Sequence, residues 1–156
     1  MKIAYLNPGG TIGGAEMVLL DVLAMLRSSL PEARPTVILG DDGPLRAQVE
    51  ALGVPCEVLP LPAGVAKLGD AGGGRLKLLL RGAASAAAAL AYRARLARRL
   101  RELRPDLIQT NGMKMHLLGA WTAPRGVPVI WHMHEDRKST RLNSSHVSQS
   151  RMPSSA

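Results

Sequence analysis

Trp131-His132-Met133-His134-Glu135-Asp136 gathers more titratable chemistry than any other stretch of this sequence: two imidazoles two residues apart, then two carboxylates. In a strand, side chains two apart share a face, so His132 and His134 would point one way and Met133 the other. His-x-His-x-Asp is also a spacing used by metal hydrolases, but a metal needs further ligands. His116 is the only other histidine before residue 137, and it falls in a predicted helix. Three readings of the pair stand: a substrate-contacting imidazole, a structural pair and a metal site. The first is preferred, and no metal is expected.

A second cluster is Pro8-Gly9-Gly10-Thr11-Ile12-Gly13-Gly14-Ala15-Glu16, which lies between an apolar strand pattern and an apolar helix pattern. Free backbone N–H groups and the positive end of the helix dipole favour anions at such a junction, and glycine lets a ligand approach the backbone. A dinucleotide fingerprint would place glycine at 8, 10 and 13, but residue 8 is proline. The lysine and hydroxyl residue of a P-loop are missing as well. Glu16 would oppose a bound pyrophosphate unless its side chain points away, and a tight turn without ligand is the plain alternative. Asn111-Gly112 is first a turn signal, yet it would leave the sheet at the same edge as the glycine loop and His134.

These clusters need a frame that brings them together. Lys2–Leu6 reads as a buried strand, and Val18, Val22, Leu26 and Leu30, with Leu19 and Leu23 beside them, mark a helix closed by Pro31. Thr36–Leu39 is a second strand, residues 45–52 a short helix capped by Gly53, and Cys56–Leu59 a third strand. After an irregular 60–74 segment, residues 75–104 predict a long helix broken near Gly82 and stopped by Pro105. Leu107–Thr110, residues 113–122 and Val127–His132 then give strand, helix and strand. This alternation implies an α/β fold: a Rossmann-like, doubly wound parallel sheet with helices on both faces.

Composition narrows the function classes. The 156 residues carry a net charge of +8, with nine basic groups and one acid in 75–104 and four basic groups and no acid in 137–156. Such surfaces attract phosphates, anionic lipid or nucleic acid. With no Phe, two Trp and two Tyr, the stacking platforms of a single-strand binder are missing, so nucleic acid is not expected. On a helical wheel Tyr92, Leu96, Leu100 and Leu103 fall within about 80°, with arginines around the remainder. That pattern predicts docking on a sheet with the arginines solvated, and peripheral membrane contact through residues 75–104 is the functional alternative.

One cysteine, Cys56, excludes an internal disulfide and favours a reducing compartment. The apolar run after Lys2 ends at Asn7-Pro8-Gly9, too soon for a signal peptide. The alanine-rich stretch 82–92 is too short to span a bilayer. A cytoplasmic location, or the inner face of the membrane, is expected. Residues 137–156, with seven serines and no acid, are expected to be disordered. They resemble read-through of adapter or vector DNA, so residues 1–136 are taken as the domain, with the natural chain expected to continue beyond it.

Several motifs in fixed order carry a resemblance: Gly13-Gly14-Ala15-Glu16 after strand one, Asp42-Gly43-Pro44-Leu45 after strand two, Arg104-Pro105-Asp106-Leu107-Ile108 opening strand four, and the run from Gly126 to Glu135. Together they resemble the N-terminal domain of family-4-type glycosyltransferases of GT-B architecture. The resemblance implies one of two Rossmann-like domains facing a cleft, and sugar transfer with retention from a UDP- or GDP-linked donor to a glycan, lipid or small-molecule acceptor. It implies no metal and no other cofactor. It makes His134 the catalytic-site histidine beside the reacting sugar, Gly13 and Gly14 the loop lining the cleft, and Asn111, Gly112 and Glu135 substrate contacts. The family's second domain, with its pair of glutamates, has no counterpart; Glu50 and Glu57 are spaced differently and lie in the first. The chain alone is therefore expected to be inactive. Two other classes stay open: an NAD(P)-type dinucleotide domain, with Asp41 or Asp42 meeting a ribose, and a non-catalytic membrane-surface module.

Overall fold

Strand β1 (Lys2–Asn7) divides its side chains between two cores: Ile3 and Tyr5 face one layer of helices, Ala4 and Leu6 the other. This is the period-two signature of a strand covered on both sides. The computed structural model describes residues 1–62 and 75–133. Along the chain follow α1 (Gly14–Ser29), β2 (Arg34–Leu39), α2 (Pro44–Ala51), β3 (Cys56–Val58), α3 (Arg75–Leu103), β4 (Leu107–Asn111), α4 (Met113–Thr122) and β5 (Val129–His132). The strands pair in the order β3-β2-β1-β4-β5, every pair parallel. Each parallel pair needs a crossover, and the helices supply them.

The α1 and α2 layer packs Leu19, Leu20, Leu23, Leu45 and Val49 onto Ile3, Tyr5, Val37 and Leu39. The expected row Val18, Val22, Leu26 and Leu30 is not the buried face of α1: Val18 and Leu30 are exposed. Residues four apart advance about 40° around a helix, so such a row winds off a flat sheet after two turns. On the other face, α3 buries Tyr92, Leu96 and Leu100 and α4 buries Met115 and Leu118, against Ala4, Leu6, Ile38 and Ile108. The narrow stripe read on the basic helix is thus its sheet-facing side.

Helix α3 runs unbroken through Gly82. Glycine in a helix interior costs roughly 1 kcal/mol, too little to break a helix flanked by leucine and alanine. The helix ends at Leu103, and Arg104 takes a positive φ of 50° ahead of Pro105. Arg99 forms an ion pair with Glu57 of β3 and another with Glu102, tying the basic helix to the edge strand β3. The paired carboxylates hold the Arg99 guanidinium pKa above its ordinary value.

Candidate functional site

Parallel register brings every strand's carboxyl end to one edge. Asn7 aligns with Leu39, Leu6 with Thr110, and Asn111 with His132. The loops after β1, β2 and β4 therefore meet in one place. There a crevice of about 410 Å³ is lined by Pro8, Gly9, Thr11, Glu16, Gly40, Asp41, Leu61 and Lys114.

Backbone contacts that only glycine allows build its walls. A Cβ on Gly10 would stand 2.4 Å from the Gly43 nitrogen and 2.7 Å from the Asp42 carbonyl oxygen. The two loops are stitched by the Leu45 N–H donating to the Gly10 carbonyl at 2.9 Å. Gly10, which would be the second glycine of a dinucleotide fingerprint, is thus taken up by a loop-to-loop contact. Gly112 caps β4 at a φ of +74°, with its open side against the Pro8 ring. Gly14 is different, because nothing lies within 4 Å of where its Cβ would be.

Glu16 decides the electrostatics. Its carboxylate turns back to accept from the Gly13 N–H at 3.0 Å and from Asn7 Nδ2 at 3.2 Å. The sequence left open whether this side chain points away from the loop; it folds into it, as half of a capping box. One α1 donor is consumed, and negative charge occupies the ground where a phosphate would sit. Asp41, also at the crevice, accepts from the Asp42 N–H, while Asp42 accepts from the Gly43 N–H and lies 3.7 Å from Arg46.

Beneath the crevice lie two amides. Asn7 is fully buried and Asn111 nearly so; Asn111 Nδ2 donates to Asn7 Oδ1 at 3.2 Å, and Asn7 Nδ2 donates onward to the Gly9 carbonyl at 2.7 Å. Asn111 Oδ1 is buried with no donor among the described residues. An orphaned acceptor of this kind calls for a ligand hydroxyl or a water.

His116, which sequence could not place, is buried in α4. It stacks on Trp131 at 5.4 Å between centroids and 10° between planes. Its Nδ1 lies 2.7 Å from Thr110 Oγ1, and the Thr110 hydroxyl donates to the Ile130 carbonyl at 3.2 Å. With that single proton committed, His116 Nδ1 is the donor to Thr110 and carries the ring hydrogen. Burial first, and the charge of His132 second, hold the His116 pKa below its ordinary value, so the ring is neutral. The Cys56 thiol is pushed up to about 11 by burial, which makes it a poor nucleophile at neutral pH.

Of the residues singled out in sequence, Gly13 and Gly14 start α1 at this edge and Asn111 and Gly112 end β4 there, while His132 closes β5 beside them. His134 and Glu135 lie outside the described residues, as do residues 63–74 and 137–156. No group of three His, Cys, Asp or Glu suited to a metal occurs among the described residues. Thr11 of the glycine loop lines the crevice, and Leu61 and Lys114 line it without having been singled out. The larger hollow, about 690 Å³, opens at the opposite edge of the sheet, among Lys2, Arg27, Arg34, Pro55, Arg99 and Pro105. Among the described residues it holds none of the glycine-loop, Asn111-Gly112 or His132 candidates.

A family model described as a glycosyl transferase 4-like domain matches residues 13–154. Among solved structures, Anabaena HepE in complex with UDP is 24% identical with a TM-score of 0.59, covering 92% of this chain and 32% of that one. HepE in complex with UDP and glucose is 26% identical, with a TM-score of 0.56 and coverage of 86% and 30%. MurG of Acinetobacter baumannii is 16% identical, with a TM-score of 0.56 and coverage of 84% and 34%. The chain thus spans about a third of the length of the structures it matches. No curated protein sequence matches it.

Proposed function

The chain belongs to the glycosyl transferase 4-like domain family, and on that premise we propose that it is the acceptor-side half of a transferase that moves a sugar from a UDP- or GDP-linked donor to a hydroxyl acceptor with retention of configuration. The observation that carries the assignment to the acceptor side is Glu16. A carboxylate seated on the Gly13 N–H repels a diphosphate but accepts hydrogen bonds from sugar or other hydroxyls. Asn111 Oδ1 offers a second acceptor for such a hydroxyl at the foot of the same edge. Asp41 and Lys114 flank it with charges of opposite sign.

In the proposed reaction the acceptor oxygen bonds to the anomeric carbon as the bond from that carbon to the donor phosphate breaks. The hydroxyl proton passes to the departing nucleotide diphosphate. Gly13 and Gly14 keep the loop low enough for both substrates to approach, and His134 and Glu135 follow β5 as the groups that would hydrogen-bond the transferred sugar. Asn111 and Gly112 orient the acceptor. In this reading donor contacts come from a second domain facing this edge, and neither metal nor other cofactor enters it. The dinucleotide alternative is disfavoured because Gly10 and Asp42-Gly43 fill the gap between the β1 and β2 tips.

The test is titration of the 156-residue chain with a panel of UDP- and GDP-sugars, and with NAD and NADP, followed by thermal shift and by product formation with hydroxyl acceptors. The expected outcome is no turnover and no saturable stabilisation by any nucleotide. Turnover, or saturable stabilisation by a nucleotide sugar, overturns the acceptor-side assignment; stabilisation by NAD or NADP promotes the dinucleotide reading.

A further inference from the structure

Trp121 and Leu117, one turn apart on α4, are 56% and 61% exposed, and Leu90 on the neighbouring turn of α3 is 52% exposed. They form one surface: Arg93 of α3 lays its guanidinium 4.7 Å above the Trp121 ring. Leu90, Arg93, Ala97 and Arg101 follow one another three or four residues apart, so they run along a single side of α3. Leu117 and Trp121 do the same on α4.

Among the described residues the charge on this ridge has one sign. Helix α4 contains no acid. The single acid of α3, Glu102, is bound by Arg98 and Arg99, and Arg99 also reaches Glu57 on β3, away from α4. An exposed indole and leucines set among unopposed arginines are the makeup of a surface that enters a headgroup layer. Arginine clamped over the indole keeps charge at phosphate level while the ring enters below it. No helix among the described residues is long and apolar enough to cross a membrane, so the contact would be peripheral.

We propose that the ridge formed by Leu90 and Arg93 of α3 with Leu117 and Trp121 of α4 docks on an anionic bilayer surface. The apolar three enter the interface, and Arg93 and Arg101 engage lipid phosphates. This goes beyond the catalytic reading and stands independently of it, since no ridge residue lines the crevice. It also revises the sequence expectation, which placed lipid contact on the arginines of residues 75–104 alone.

Sedimentation of the chain with vesicles of phosphatidylcholine containing about one-third phosphatidylglycerol tests it. Binding is expected to the anionic vesicles, weakened by salt, and absent with pure phosphatidylcholine. The Leu117→Ser, Trp121→Ser pair should lower affinity at least about tenfold, and Arg93→Gln and Arg101→Gln about fivefold each. Lys2→Gln with Arg34→Gln, at the far edge of the sheet, should leave binding unchanged. Circular dichroism checks that each variant is folded, and in a Trp131→Phe background the Trp121 emission should shift to the blue on anionic vesicles only. Failure to bind anionic vesicles overturns the proposal, as does binding that survives the serine pair. So does self-association of the free chain that the serine pair abolishes, because the ridge would then be a contact between copies.

Discussion

The two edges of the sheet differ in a way that separates room from chemistry. The amino edge holds the larger hollow, about 690 Å³, yet its Arg27 is tied to the Gly53 carbonyl and its Arg99 to Glu57 and Glu102. The carboxyl edge offers only about 410 Å³, but there backbone from two loops meets at Gly10 and Gly43, a carboxylate sits on a helix start, and a buried amide oxygen has no donor among the described residues. The difference follows from parallel topology. Helices α1, α2 and α4 begin at the carboxyl edge, so their N–H groups and the loops preceding them gather there. Volume without such groups is only a gap between strand ends.

The sharpest way to break this contrast is at Gly10. Gly10→Ala forces a Cβ against backbone that cannot swing aside, and should destabilise the fold by about 2 to 3 kcal/mol, read as a lower midpoint in urea unfolding. Arg34→Gln at the amino edge should stay within about 0.5 kcal/mol of the parent. Equal effects at both edges would erase the distinction.

Glu16→Ala is next in size. It removes the carboxylate cap of α1 and should cost about 1 kcal/mol, with Glu16→Gln recovering part of that loss. The same change should let pyrophosphate stabilise the chain in thermal shift, which the parent should not allow. A mutant as stable as the parent would mean that the cap contributes nothing.

At the amino edge, Arg104→Gly should raise stability by about 1 kcal/mol, because glycine adopts the positive φ that arginine holds under strain. An unchanged unfolding midpoint would show that the turn carries no strain.

The smallest effect concerns pH. Unfolded His116 takes up a proton near its ordinary pKa, whereas the folded ring resists until lower pH. Stability is therefore fully present above that ordinary value and declines as pH falls from it toward the depressed folded value. Denaturation midpoints between neutral and mildly acid pH should show the decline, and His116→Asn should flatten it. A slope that persists in the variant would assign the titration to another group.

Much of the frame was legible because short apolar runs alternating with helical periodicity leave few options besides a parallel sheet. The starts of α1 and α4 follow from glycines whose local need shows in sequence, and the Gly53 cap, at a φ of 69°, is read the same way. The α1 stripe was misjudged because periodicity reports spacing and not which part of a winding row meets the sheet. The inferred break at Gly82 gave one weak helix former more weight than its neighbours. Lys114 and Leu61 escaped notice since a lone lysine and a leucine in a proline-rich stretch carry no pattern; only the fold brings them to Pro8. His116 was visible as a residue, but its partners Thr110 and Trp131 belong to different strands.

By itself the sequence determined the α/β class, the order of elements, the placing of the glycine loop before the first helix, and the family, because these depend on near neighbours along the chain. Tertiary structure alone decided that Glu16 folds onto the Gly13 N–H and Asn7, that Gly10 is locked by Asp42-Gly43, and that Arg93 covers Trp121. Each of these joins groups whose distance is set by strand register and helix packing, and charge and hydrogen bonding act through that distance.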